Sequence, residues 1–266
     1  MKEIKNKEEL LKRAVADYHN RRYKESCKVF KKLGEDPVAM RYLGNCYFNG
    51  TGVSLNRKKA FALFVKAAGL NDLRSKTEVA TCYLSGYGVE QDVKKAISML
   101  IDAADQGDPL AKFNLGLAYF YGSGVEKDRK LAFDYFTRAN LDEIPQAKYY
   151  LGVMYFLGDG VEKDPLKAFE NFKTASSVSD SKSQYLLGIC YLRGIGTEKD
   201  LKAGFDWVKK AAEKEVLKAM YTLGVLYLDG IGCTKDEKIG MKWLHLAKKN
   251  GSLDAKNKLE ELKSKK

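Results

Sequence analysis

Apolar residues return along this chain at three- and four-residue steps, and the whole arrangement returns every 36 residues. Leu115 and Tyr119 stand on one such face before a short glycine-containing stretch, and Ala132, Phe136 and Ala139 stand on another after it. That spacing places each set on one side of a helix. No segment sustains the two-residue alternation of a half-buried strand. The pattern therefore predicts antiparallel helix pairs joined by glycine loops. The loop sequence recurs as GTGVSLN from Gly50, GYGVEQD from Gly86, GSGVEKD from Gly122, GDGVEKD from Gly158, GIGTEKD from Gly194 and GIGCTKD from Gly230.

Six copies at a fixed period belong to a repeating architecture, and a phosphate-binding loop is excluded on its own terms. Such a loop needs a preceding strand and either a third glycine or a Lys-Ser/Thr pair, and no copy completes the pattern. Stacked in register, the copies form columns. Tyr47, Tyr83, Tyr119, Tyr155, Tyr191 and Tyr227 fill one, as aromatic spacers between layers. Gly44, Ala80, Gly116, Gly152, Gly188 and Gly224 fill a second, where two helix backbones approach closely. Alanine occupies a third, from Ala67 to Ala247. Asn56 and Asp92, Asp128, Asp164, Asp200 and Asp236 precede the second helices as N-caps. Pro165 begins a second helix, and Pro37, Pro109 and Pro145 begin first helices, where the missing donor costs little. The paired glycines end each first helix and turn the chain back.

The pattern A-x-x-x-L-G-x-x-Y-x-x-G-x-G-V-x-x-D-x-x-x-A, nearly intact from Ala111 to Ala132 and from Ala147 to Ala168, resembles the Sel-1-like repeat family, a relative of the tetratricopeptide repeats. The resemblance implies an all-α fold, a right-handed α/α superhelical solenoid of six 36-residue helix pairs over residues 37–251. Residues 1–36 read as a tetratricopeptide-like N-terminal helix pair, and residues 252–266 as a capping helix with a basic tail. The resemblance further implies a non-catalytic adaptor that binds a protein or peptide on its concave face. Two alternatives stay open: an inhibitory or immunity-type binder of one protein, and a β-lactam-binding hydrolase of the kind described for some relatives.

Charge changes this picture little. The net charge is +12, with residues 1–36 holding 11 basic and 7 acidic side chains and residues 247–266 holding 7 and 3. The ends thus supply most of the excess, and no specific nucleic-acid partner is expected. Cys46, Cys82 and Cys190 share a column with Ala118, Met154 and Leu226, which reads as an apolar filler position. Secreted relatives carry a regular cysteine pair in each repeat, and this chain lacks that pairing. With no apolar run at the N-terminus either, a cytoplasmic, monomeric protein without a transmembrane segment is expected.

Catalytic chemistry finds few candidates. His19 and His245 lie in opposite terminal units, so no metal site and no Cys-His pair is expected, and no cofactor. The sequence SDSK, Ser179 to Lys182, meets the loose S-x-x-K spacing without its companion motifs. By analogy with tetratricopeptide arrays, the first helices line a groove. One groove column reads Arg41, Thr77, Phe113, Tyr149, Tyr185 and Tyr221, another Asn45, Thr81, Leu117, Val153, Ile189 and Val225, and a third Asn49, Ser85, Tyr121, Leu157, Arg193 and Asp229. Phe113, Leu117, Tyr121, Tyr149, Val153, Leu157 and Tyr185, flanked by Lys112 and Lys148, form the candidate partner site. Packing of the same aromatics against the neighbouring repeat is the competing reading.

Overall fold

The computed structural model describes residues 2–177 and 180–264, with backbone alone for residues 2–5. All secondary structure among the described residues is helical, in fifteen elements. The chain divides into two compact units, Met1–Ala139 and Asn140–Lys266.

The first unit holds α1 (Lys2–His19), α2 (Tyr23–Leu33), α3 (Pro37–Asn49), α4 (Arg57–Gly69), α5 (Leu73–Ser85), α6 (Val93–Asp105), α7 (Pro109–Tyr121) and most of α8 (Arg129–Leu141). From α1 to α7 each helix packs on the next. The second unit holds α9 (Pro145–Leu157), α10 (Pro165–Ser177), α11 (Ser181–Arg193), α12 (Leu201–Glu213), α13 (Leu217–Asp229), α14 (Glu237–Lys249) and α15 (Leu253–Ser264), again each on the next. Neither unit has one central core. Successive clusters follow the stack, such as Ala60, Phe64, Val79 and Cys82 in the first unit and Ala168, Phe172, Leu187 and Cys190 in the second.

The columns explain these helices. The six side chains from Asn56 to Asp236 all cap a second helix, each accepting from the amide three residues on, as Asp92 does from Lys95 at 3.0 Å and Asp236 from Ile239 at 2.8 Å. The amide of each capping residue donates back to the carbonyl of the column tyrosine before the loop, Asp200 to Tyr191 at 2.9 Å for instance. One side chain and one backbone bond thus close every helix pair. Three of the column tyrosines meet a phenylalanine of the preceding repeat's second helix edge-on, with centroids 5.4 Å apart for Phe61–Tyr83, 5.3 Å for Phe169–Tyr191 and 5.2 Å for Phe205–Tyr227. The small column seats the partner helix: a Cβ on Gly116 would lie 2.7 Å from the Phe136 ring. Ala80, the one alanine in that column, shares a core cluster with Leu100.

The two loop glycines do different work, seen best at Gly194 and Gly196. Both have left-handed backbones, with φ of 68° and 67°. A Cβ on Gly194 would meet its neighbours at an ordinary 3.5 Å, whereas one on Gly196 would lie 2.0 Å from the Pro165 carbonyl oxygen. Gly194 caps α11; Gly196 lets the loop press onto the first turn of α10, the second helix of the previous repeat.

The last described element departs from the column pattern. In α15, Glu260 occupies the place that Gly224 holds in α13, and its side chain is exposed. The position that is small in the six first helices before it is therefore charged in α15.

Candidate functional site

The expected groove columns lie on the first helices α3, α5, α7, α9, α11 and α13. In the first unit, the opening members of the first column are committed to holding repeats together. Arg41 Nε donates to Asp72 Oδ1 at 3.0 Å, and Thr77 Oγ1 donates to Asp108 Oδ2 at 2.5 Å. Asp72 and Asp108 are themselves the N-caps of α5 and α7, accepting from Ser75 at 2.7 Å and Ala111 at 3.0 Å. Asp108 is 4% exposed and Thr77 fully buried. The Arg74 guanidinium stands 3.7 Å from the other Asp108 oxygen. Glu78 completes this polar group. Burial pushes its carboxyl above the usual range, against the pull of Arg74 and Arg41.

In the second unit the same position is apolar at one junction. Tyr185 and Val216, the residue capping α13, pack against one cluster with Phe205, Val208 and Leu223. The Tyr185 hydroxyl lies 3.4 Å from Thr222 Oγ1. At these three junctions the first column meets the cap of the next repeat, by hydrogen bonds from Arg41 and Thr77 and within a shared apolar cluster for Tyr185. Sequence reading missed the first-helix caps Asp36, Asp72, Asp108, Asp180 and Ser252, although they share one column of the repeat, whose other members are Ile144 and Val216.

The candidate partner residues fall into sets. Lys112, Phe113, Leu117 and Tyr121 share α7 in the first unit; Lys148, Tyr149, Val153 and Leu157 share α9 in the second; Tyr185 stands on α11. Most are half-buried. Phe113 leans on Phe136, with centroids 5.8 Å apart, and Tyr149 lies edge-on to Tyr150 at 5.0 Å. Tyr121 and Leu157 differ from the rest, being 61% and 60% exposed. The Phe120 ring lies edge-on to Tyr121, with centroids 5.0 Å apart. Lys148 lines a recess of about 240 Å³ at the start of α9, with Asn140, Ile144 and Thr174.

Reactive chemistry is sparse among the described residues. No group of three His, Cys, Asp or Glu side chains gathers to hold a metal. Cys27, Cys46, Cys82 and Cys190 are buried free thiols, and Cys233 is half-buried and free. Burial pushes the Cys82 thiol up to about 12 and that of Cys190 up to about 11, which removes them as nucleophiles. His19 Nε2 lies 3.2 Å from the Tyr42 hydroxyl, while His245 is exposed. Ser179 of the S-x-x-K stretch lies outside the described residues, and Lys182 is exposed in the first turn of α11. Among the described residues no helix is long and apolar enough to cross a membrane.

These features define a tandem repeat protein whose unit is a capped helix pair. Comparison with family models gives the Sel1 repeat over residues 37–72, 75–108, 109–141, 145–179, 181–216 and 217–252, and the chain belongs to that family. It is similar to the Sel1 repeat protein from Oxalobacter formigenes, with 30% identity, a TM-score of 0.78 and coverage of 90% of this chain and 99% of that one. It is also similar in fold to c5321, a protective antigen present in uropathogenic Escherichia coli strains, with 24% identity, a TM-score of 0.73 and coverage of 98% of this chain and 57% of that one. An immunity protein from Pseudomonas aeruginosa, Pa5087, shares the fold at 21% identity and a TM-score of 0.55, with coverage of 76% and 81%. The comparison with curated proteins found no match.

Proposed function

We propose that the chain is a non-catalytic adaptor that captures a protein or peptide partner through the face of its first helices, with Tyr121 and Leu157 as the leading contacts. One observation carries this reading. At the last position of the first helix the other repeats place Asn49, Ser85, Arg193 and Asp229, whereas these two place large apolar side chains more than half exposed. An exposed aromatic or leucine in a position that is otherwise polar gains nothing for folding and offers area to a partner. In the first unit Phe113 and Leu117 would support Tyr121 from their half-buried places, with Lys112 at the margin; in the second, Tyr149, Val153 and Tyr185 would support Leu157, with Lys148 at the margin. A protein-binding role is typical of the Sel1 repeat family.

The test is affinity capture from native lysate with the intact chain and the Tyr121→Ser/Leu157→Ser variant side by side. Both side chains are exposed, so stability should stay within about 0.5 kcal/mol of the parent. Partners held by the parent and lost by the variant support the reading, and a single stoichiometric partner would make the protein a dedicated binder. Capture of the same partners by both proteins would refute it.

A further inference from the structure

Residues 20–69 hold eleven basic and three acidic side chains, so a net +8 of the chain's +12 sits in one fifth of its length. The structure gathers part of that charge around one ring. Lys31 of α2 and Lys59 of α4 each place their ammonium near the face of Tyr47, at 5.9 and 5.6 Å from its centroid. Beside them lies a recess of about 330 Å³, lined by Leu43, Tyr47, Lys59, Ala62, Leu63 and Lys66. Lys59, Ala62, Leu63 and Lys66 follow at helical spacing on one face of α4, over a floor supplied by α3.

Two details separate this recess from its copies. Among the described residues no carboxylate lies within salt-bridge distance of Lys31, Lys59 or Lys66, although lysines elsewhere are paired, as Lys202 is with Asp206 at 2.6 Å. One repeat further on, Asp102 stands where Lys66 does, 3.8 Å from Lys76, and the Lys95 ammonium is turned onto the Tyr83 hydroxyl at 2.9 Å. Of these two copies, the one built by α2, α3 and α4 combines an open apolar floor with cations that no carboxylate pairs.

We propose that this recess is a second docking surface, which takes an acidic peptide segment carrying one large apolar side chain. The lysines meet its carboxylates and the side chain fills the space over Leu43 and Tyr47. Charge complementarity sets the sign of the partner. The apolar floor favours a peptide over a nucleic-acid backbone, whose phosphates would leave it empty. The surface is separate from Tyr121 and Leu157, so either assignment can fail without the other.

A short fluorescent peptide of Glu and Ser with one central Phe serves as the probe, titrated by anisotropy into the full chain. Saturable binding that weakens with added salt is expected. Replacing the peptide's Phe by Ser should weaken it about tenfold or more, the loss that follows from leaving one aromatic side chain unburied. The Lys59→Glu/Lys66→Glu variant should lose a similar factor, while Lys238→Glu/Lys242→Glu on α14 should bind as the parent does. Absent binding, indifference to the Phe, or equal loss in both charge-reversed variants would overturn the proposal. Tighter binding of a thymidine oligonucleotide or of phosphatidylserine vesicles than of the peptide would do the same.

Discussion

The paired loop glycines make a quantitative claim, because Gly194 and Gly196 share a left-handed backbone and differ in what surrounds them. Alanine at either position has to adopt the left-handed region, which costs about 1–2 kcal/mol and is partly offset by about 0.4–1 kcal/mol from a stiffer unfolded chain. At Gly194 the space around the new methyl is ordinary, so the net loss should stay near 1 kcal/mol. At Gly196 the methyl would lie 2.0 Å from the Pro165 carbonyl oxygen and 2.5 Å from its carbon. Both are backbone atoms of the first turn of α10, so no side chain can swing aside. The loop has to withdraw, which adds about 1–3 kcal/mol by analogy with overpacked cores. Urea unfolding followed by circular dichroism should then place Gly196→Ala about 1 M below Gly194→Ala in midpoint, given slopes of about 1–3 kcal/mol per molar. Hydrogen exchange should show the extra loss at the start of α10. Equal midpoints for the two variants would refute the division of labour between the glycines.

Other expectations follow from single contacts. Asp108→Ala removes the α7 cap and strands the buried Thr77 hydroxyl, so it should destabilise by about 2–4 kcal/mol, against about 1 for the exposed cap variant Asp128→Ala, both read from urea midpoints. Alkali should weaken the fold through Cys82: its thiol stays protonated when folded up to about pH 12 but ionises from pH 9 when unfolded, so the unfolded chain binds fewer protons and stability falls across that window. The decline should be shallower in Cys82→Ala than in the parent, and an unchanged slope would remove that thiol as a source. Exchanging Glu260 for Gly and Lys263 for Tyr restores a seat for a further helix on α15, and sedimentation should then reveal concentration-dependent self-association absent from the parent.

Much of the fold was legible in the sequence because each structural role recurs six times. The caps from Asn56 to Asp236, the tyrosine column and the small-residue column each rest on local geometry, and local geometry repeats with the period. Arg41 and Thr77 were harder to read, since their partners Asp72 and Asp108 stand 31 residues ahead in the next copy. Stacking the copies in columns aligns equivalent residues and conceals bonds that run between columns. The same averaging hid the basic recess. Its lysines come from α2, which belongs to no full repeat, and from α4, where Lys66 stands in a column that varies freely through Asp102, Arg138, Thr174, Lys210 and Leu246. The exposure of Tyr121 and Leu157, in contrast with the half-buried Phe113 and Tyr149, depended on side-chain packing that periodicity does not encode.

The junctions at Arg41, Thr77 and Tyr185 bear on how such an array can change by duplication or exchange. Arg41–Asp72 and Thr77–Asp108 are polar junctions, whereas Tyr185 and Val216 make an apolar one. A repeat moved beside Arg41 with Val216's kind of cap would leave a guanidinium facing a hydrocarbon, and the reverse exchange would bury a carboxylate against tyrosine. The units share a period and a backbone, yet the joints at Arg41 and Thr77 differ in chemistry from the joint at Tyr185. Growth of the chain by copying is thereby confined to steps that carry both halves of a junction together, and the present order of repeats is written into the joints as well as into the units.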